Sequence, residues 1–412
     1  MKKLNKNNKN FYKDLEFFLK KRSHHDLSNI DQEVMEIIND VSIRGDDALF
    51  EYAKKFDQSN IDSSNILLSK EILDSYKNKI DTDILNAFKL AITNISNFHK
   101  KQIPNNYDVI NPGVKTSLLW KSIQSVGLYI PGGNAAYPSS LIMNAVPAIV
   151  AGVKRIVVVT PSKQNIINPY ILALLDILNI TEVYQVGGAH SIAALAYGTN
   201  SINSVNKIFG PGNSYVASAK KQVFGKVGID LIAGPSEIVV VADSDNNPDW
   251  VAADLIAQAE HDEKAQSILI TDNEEFSEKV IASIQNLSSY LEKKSTIQNS
   301  INNYGLVIIT QELKYADEII DFIAPEHLHL QNKTRNDLVK KINNAGGIFI
   351  GEYSVEAFGD YIVGTNHILP TSGSAKFSSG VGVLDFMKRI SLVEVDSIGY
   401  EINKDNVSKM AG

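Results

Sequence analysis

The chain has no cysteine. That excludes disulfides, thiolate metal sites and cysteine nucleophiles at once. Long hydrophobic runs are missing too: a membrane span needs roughly 18 apolar residues, and the longest stretch, SSLIMNAVPAIVAG, is shorter and interrupted by Pro147. No excess of one charge dominates. The 40 Lys and Arg face 47 Asp and Glu, a formal net charge of −7, which argues against nucleic acid as the main partner. The N-terminal MKKLNKNNKNFYKDLEFFLKK is basic but has neither the continuous apolar core nor the cleavage site of a secretory signal. It is read as a Lys/Asn-rich amphipathic arm, and the cytoplasm is the expected location. Walker loops and HExxH are also absent.

What is present is an ordinary globular composition, 44% hydrophobic and 21% charged, in a 412-residue chain long enough for two or three well-buried domains. Residues 31–103 carry apolar positions at helical spacing, broken at Gly45; His99 in this region is expected on the solvated surface. From about residue 125 the pattern alternates. SVGLYIPGG, RIVVVTP, EVYQVGG and KIFGPG read as strands, separated by the helical SSLIMNAVPAIVAG, YILALLDIL, SIAALAYG and SYVASAKKQVFG. A second series follows, with EIVVVAD, QSILIT, GLVIIT and GGIFIG as strands and DWVAADLIAQAEHDE as a helix. Short, continuously apolar strands between helices predict parallel sheets covered on both faces.

The expected fold is therefore α/β, with two Rossmann-like parallel-sheet domains, an N-terminal helical arm and a small C-terminal extension. The expected boundaries are 1–24 for the arm, 25–128 plus 237–380 for the first domain, 129–236 for the second and 381–412 for the extension. The turn AGPSE, residues 233–237, is the hinge between the two α/β units. Ligands of open α/β sheets bind outside the carboxyl ends of the strands, which makes the glycine turns there candidate binding loops.

Three stretches carry possible chemistry. In GPGNSY, from Gly210, Tyr215 stands where GxGxxG has its third glycine. The turn still offers free N–H groups and a helix dipole to a pyrophosphate; alternatively these glycines only make a tight turn. In IAQAEHDE, Gln258 and His261 are three apart on an expected helix and share a face. They could hold one divalent cation, or His261 could serve the helix dipole. In GDYIVGTNHILPTSG, Asp360 and His367 lie in a polar loop that is either functional or a plain connection. FIAPEHLHL sets Glu326 beside His327 in an apolar run. In a regular strand these two would point apart, so both reach one cleft only if the backbone near Pro325 departs from strand geometry. Together, Gln, His and Asp form a mixed N/O set suited to zinc.

Six motifs in register, GLYIPGGNAAYPSSLIMNAVPA, KIFGPGNSYV, DLIAGPSE, DLIAQAEHD, APEHL and GDYIVGTNHILPT, resemble those of the histidinol dehydrogenase family from about residue 30 to 390. The resemblance implies a zinc- and NAD-dependent oxidoreductase. It would oxidise L-histidinol to L-histidine through L-histidinaldehyde with two NAD+, the last steps of histidine biosynthesis, as an intertwined homodimer with one zinc per subunit. It implies Gln258, His261 and Asp360 as zinc ligands that also line the substrate site. Glu326 and His327 would be the acid–base pair, Ser236 and His367 substrate contacts, and Tyr129 and Asn213 NAD contacts. His190 stands where the family has Gln near NAD. With no cysteine to trap the aldehyde, non-covalent contacts in a closed site must retain it. The resemblance further implies a following segment with a substrate-contacting Glu and a zinc-binding His, contributed across the dimer. The chain stops at Gly412 before such residues, which implies a truncated form or impaired activity. Two other readings are a non-catalytic relative that keeps a nucleotide or metal pocket, and a dehydrogenase of another amino alcohol.

Overall fold

The structure is a computed structural model that describes residues 1–22, 28–76, 79–132, 138–162 and 166–412. Part of the glycine turn after Tyr129, residues 133–137, lies outside the described residues.

Two parallel sheets organise the chain. In the five-stranded sheet the order is Glu182–Tyr184, Arg155–Val159, Ser125–Tyr129, Lys207–Phe209, Gly228–Ile229. Numbered along the chain this is 3-2-1-4-5, the order of a Rossmann half-fold, with its switch point between the first and fourth strands. The six-stranded sheet runs Lys2–Asn5, Leu306–Ile309, Gln266–Thr271, Glu237–Val241, His327–Leu330, Gly347–Ile350. Apart from its N-terminal edge strand it repeats the same 3-2-1-4-5 order. The central strands EIVVV and QSILIT are buried along their whole length, as both-face coverage demands.

The helical region does not join the sheet the sequence suggested. Residues 25–128 were expected with 237–380. Instead, Ser28–Arg44 buries Val34, Ile37, Ile38 and Val41 in the core shared with Val157, Val159, Ile192 and Val216 of the five-stranded unit. Thr82–Lys100 buries Ala91 and Ile95 in the core on the other side of that sheet, with Leu128, Leu141 and Val158. Strand Ser125–Tyr129 is itself the first strand of this sheet. The partition is decided by which apolar faces meet, and local periodicity does not carry that information. His99 is likewise corrected. It continues the Ala91–Ile95 face at spacing four, is 0% exposed, and places Nδ1 2.8 Å from the Ile95 carbonyl oxygen.

The N-terminal arm is more than a helix. Lys2–Asn5 adds a parallel strand beside Leu306–Ile309, and Phe11–Lys20 packs Phe11, Leu15 and Phe18 against the same sheet. The tail is also ordered. Met387–Val395 pairs antiparallel with Val114–Ser122, which pairs with Tyr107–Asn111, and the helix Ser397–Ala411 follows. Among the described residues no helix is long and apolar enough to cross a membrane.

Candidate active site

The decisive local feature is the chain entering strand His327–Leu330. The helix Asp317–Ile323 ends in Ala324, whose φ of +52° is left-handed, a conformation that is uncommon for a residue with a side chain. Glu326 then lies at a bend, and the strand begins only at His327. Gly346 packs onto this bend: its N–H donates to the Pro325 carbonyl at 2.9 Å, and a Cβ there would approach the Glu326 oxygen to 2.6 Å. Strand alternation is thereby suspended, and the neighbours converge. Glu326 Oε2 lies 3.7 Å from His327 Nδ1, and both residues are buried.

Around them the six-stranded sheet assembles an acid-rich cluster. His327 Nδ1 is 3.4 Å from Glu356 Oε1 and 3.3 Å from the Glu237 carbonyl oxygen, while Nε2 is 3.7 Å from Asp360 Oδ1. Glu326 Oε2 accepts the Glu237 N–H at 3.0 Å. His367 places Nδ1 2.8 Å from the Asp360 carbonyl oxygen; donation there leaves its Nε2 as the acceptor nitrogen. Asn366 donates to the Met143 carbonyl at 2.7 Å and ties this loop to the other α/β unit. A cavity of about 540 Å³ opens alongside, lined by Phe98, Phe349, Asp360, His367 and Val381 among others.

This site occupies the amino ends of strands Glu237–Val241 and His327–Leu330, opposite to the usual rule for open α/β sheets. The reason is the helix Pro248–Ala259. It runs back along the sheet and delivers its C-terminal residues to that end. Gln258 lies in its last turn. His261 does not share the helix, which ends at Ala259, but its N–H donates to the Gln258 carbonyl at 3.2 Å, so the two stay together. His261 is exposed and feels the charges of both Asp360 and His327.

Gln258 bears most directly on a ligand. The residue is 1% exposed, yet among the described residues neither its side-chain oxygen nor its nitrogen has a hydrogen-bond partner. A buried amide left unpaired costs about 1–3 kcal/mol, which fits a group held for a ligand. The carboxylates carry the same signal. Burial pushes Glu326 up to about 8, and it pushes Glu356 up to about 7. For His327, burial opposes the cation, but Glu356, Glu326 and Asp360 outweigh it and raise the imidazole to about 10. So many acids in one dry site suit a bound cation. Gln258, His261 and Asp360 carry N and O atoms of the kinds that zinc accepts. His327, Glu356 and Asp360 also bring ligand-type atoms within 4.8 Å of one another. Glu356 was not picked out from the sequence. Its signal was its position four residues before Asp360 on one short helix, Glu356–Tyr361. Ser236 lies half-buried just before strand Glu237–Val241, its carbonyl accepting the Gln266 N–H at 3.0 Å.

The family profile described as histidinol dehydrogenase matches residues 20–412. The chain belongs to the histidinol dehydrogenase family. It is 46% identical over 376 residues to the histidinol dehydrogenase of Rhodospirillum rubrum, covering 91% of this chain and 86% of that one. It is 48% identical over 368 residues to that of Nitrobacter winogradskyi, covering 89% and 86%. The crystal structure of histidinol dehydrogenase from Elizabethkingia anophelis superposes with a TM-score of 0.93 at 34% identity, over 100% of this chain and 94% of that one.

The remaining sequence-picked residues lie at the carboxyl ends of the five-stranded sheet. Tyr129 ends the first strand, and its buried hydroxyl oxygen accepts the Gly188 N–H at 3.4 Å; burial pushes this phenol up to about 12. Asn213 caps the helix Ser214–Val223, its Oδ1 accepting from the N–H groups of Tyr215 and Val216, and it is exposed. These two residues flank the switch point. The turn between strand and helix needs glycine at Gly210, where φ is +113° and a Cβ would collide with the Tyr129 carbonyl. His190 is 1% exposed. Its ring packs near Tyr52 and Phe56, and its Nε2 lies 3.5 Å from Asp57 Oδ2.

Proposed function

We propose that the protein is a zinc- and NAD-dependent histidinol dehydrogenase that oxidises L-histidinol to L-histidine through L-histidinaldehyde, closing histidine biosynthesis in the cytoplasm. The observation that carries the reading is the convergence of Glu326 and His327 beside Asp360, with the unpartnered Gln258 amide as the further donor. A zinc ion held by Gln258, His261 and Asp360 would supply a template for the substrate's amine and imidazole nitrogens and lower the pKa of groups around it.

The chain's own residues divide the proton work. His327 Nε2 faces Asp360 Oδ1 at 3.7 Å, whereas Nδ1 faces the Glu237 carbonyl and Glu356. The surrounding carboxylates favour the imidazolium; a cation on Asp360 would offset them, and Nε2 would then be the atom that takes the alcohol proton as hydride leaves for the nicotinamide. Glu326 serves the second half-reaction, taking a proton from the water that adds to the aldehyde; a carboxyl raised to about 8 suits a general base near neutrality. Ser236 and His367 hold the substrate, His367 through its Nε2. The aldehyde stays bound without a covalent trap, since there is no cysteine.

Tyr129, His190 and Asn213 are assigned to NAD. Their place at the carboxyl ends around a Rossmann switch point supports this. A homodimer is supported by the exposed apolar side chains of the C-terminal strand and helix, among them Ile390, Val393, Val395, Ile398, Tyr400 and Met410.

The test is NADH production from L-histidinol with added zinc. Two NADH per histidinol are expected. No NADH from the folded, zinc-loaded dimer would overturn the reading, and one NADH per histidinol would overturn the assignment of the second half-reaction.

A further inference from the structure

Arg22 follows the N-terminal helix and is far from the site in sequence, yet the residue is 7% exposed and its guanidinium reaches the site's base. Nη1 lies 2.8 Å from Glu237 Oε2, a separation of 215 residues along the chain. Nη2 donates to the Pro235 carbonyl oxygen and lies 3.4 Å from that of Ser236. The other carboxylate oxygen of Glu237 accepts the Ser372 N–H at 2.9 Å, and Gly234 N–H donates to Thr371 Oγ1 at 2.6 Å. The guanidinium thus joins the N-terminal arm to the Ser236 turn, and that turn is tied to the loop after His367 through Glu237 and Gly234.

The same turn holds Glu326. The Glu237 N–H that donates to the Glu326 carboxylate belongs to the residue whose side chain Arg22 grips. Fully buried ion pairs add little net stability, and replacing them by apolar groups is often neutral or stabilising. The geometry of the pair, one guanidinium on three acceptors of a single turn, is what a positioning role needs. We propose that Arg22 is a positioning residue that fixes the Pro235–Glu237 backbone, and through the Glu237 N–H the placement of the Glu326 carboxylate. The proposal rests on the reading of Glu326 as the base for water addition. It predicts a larger effect on the half-reaction that uses Glu326 than on the other.

The test compares the full-length zinc-loaded protein with R22K, R22M, R22M/E237Q and E326Q. Zinc content, Tm and single-turnover NADH formation are measured, starting from L-histidinol and separately from L-histidinaldehyde. R22K keeps a cation but cannot reach all three acceptors. The double variant removes both buried charges together, which avoids the cost of the single unpaired charge that R22M leaves.

Displacing a catalytic group by about 1 Å can cost on the order of 100-fold. We therefore expect R22K and R22M/E237Q to slow aldehyde oxidation by about 10- to 100-fold, with zinc content kept and alcohol oxidation slowed less, since His327 meets the same backbone only through the Glu237 carbonyl at 3.3 Å. Aldehyde oxidation within about twofold of the parent in the folded Arg22 variants, while E326Q loses it, would overturn the role of Arg22 alone. An E326Q protein that keeps aldehyde oxidation would overturn the Glu326 reading and the proposal with it. Equal loss in both half-reactions, loss of zinc, or failure of the double variant to fold would make Arg22 a scaffold residue and refute positioning.

Discussion

Glu326→Gln should leave a protein that is more stable and yet fails in the second half-reaction. Gln keeps the shape, and its amide oxygen can still accept the Glu237 N–H that Glu326 accepts at 3.0 Å. What is lost is an ionisable group in a fully buried setting, raised by burial from 4.5 to about 8. An acid whose folded pKa lies above its unfolded value binds more protons in the native state between the two values. Native stability then falls as pH rises across that window. From pH 4.5 to 7, at about 1.4 kcal/mol per pH unit, the penalty reaches roughly 3 kcal/mol, a ceiling because neighbouring charges relax. Urea unfolding of chelator-treated protein between pH 4.5 and 8.5 checks this. The variant should be as stable as the parent near pH 4.5 and gain on it as pH rises. Its oxidation of L-histidinaldehyde should drop by about 10²–10⁴ for loss of a general base. A variant less stable than the parent at pH 7, or one with undiminished aldehyde oxidation, would refute the reasoning.

His327→Asn should lower turnover by orders of magnitude with zinc content unchanged; loss of zinc in that variant would place His327 with Glu356 and Asp360 among the ligands instead. Gln258→Leu should weaken zinc binding while raising the stability of the metal-free protein by about 1–3 kcal/mol, because it removes a buried amide without partners. Thermal melts with and without chelator check it, and a less stable metal-free variant would refute it. His99 has its pKa lowered by burial, so its contribution is full above pH 6.5 and is lost as pH falls from there toward its folded value. The parent should lose up to about 1.4 kcal/mol per pH unit in that window relative to His99→Leu, read from urea midpoints between pH 5 and 8. Parallel profiles would show that His99 titrates normally.

Alternating apolar strands and helices, with Gly45 and the glycine turns as punctuation, determined the α/β class, because strand and helix periods are local properties of the chain. So did the residue types of the site: Gln258, His261, Glu326, His327 and Asp360 were legible as polar groups set in apolar or turn-forming stretches. The GPG turn was legible too, since Gly210 needs a left-handed φ that few other residues accept.

Partnership was beyond the sequence taken alone. Val34 and Ile95 announce buried helix faces but not which sheet buries them, so the helices of 28–100 had to be reassigned. His99 extends one of those faces at spacing four, and its burial is not legible locally because histidine is as often at the surface. Glu356 and Arg22 gain their meaning only from atoms brought together across the fold, Arg22 over 215 residues. The site's place at the amino ends of the second sheet was likewise set by where the helix Pro248–Ala259 delivers Gln258 and His261. Local spacing fixes which face of an element is polar; only packing of the whole chain fixes what that face meets.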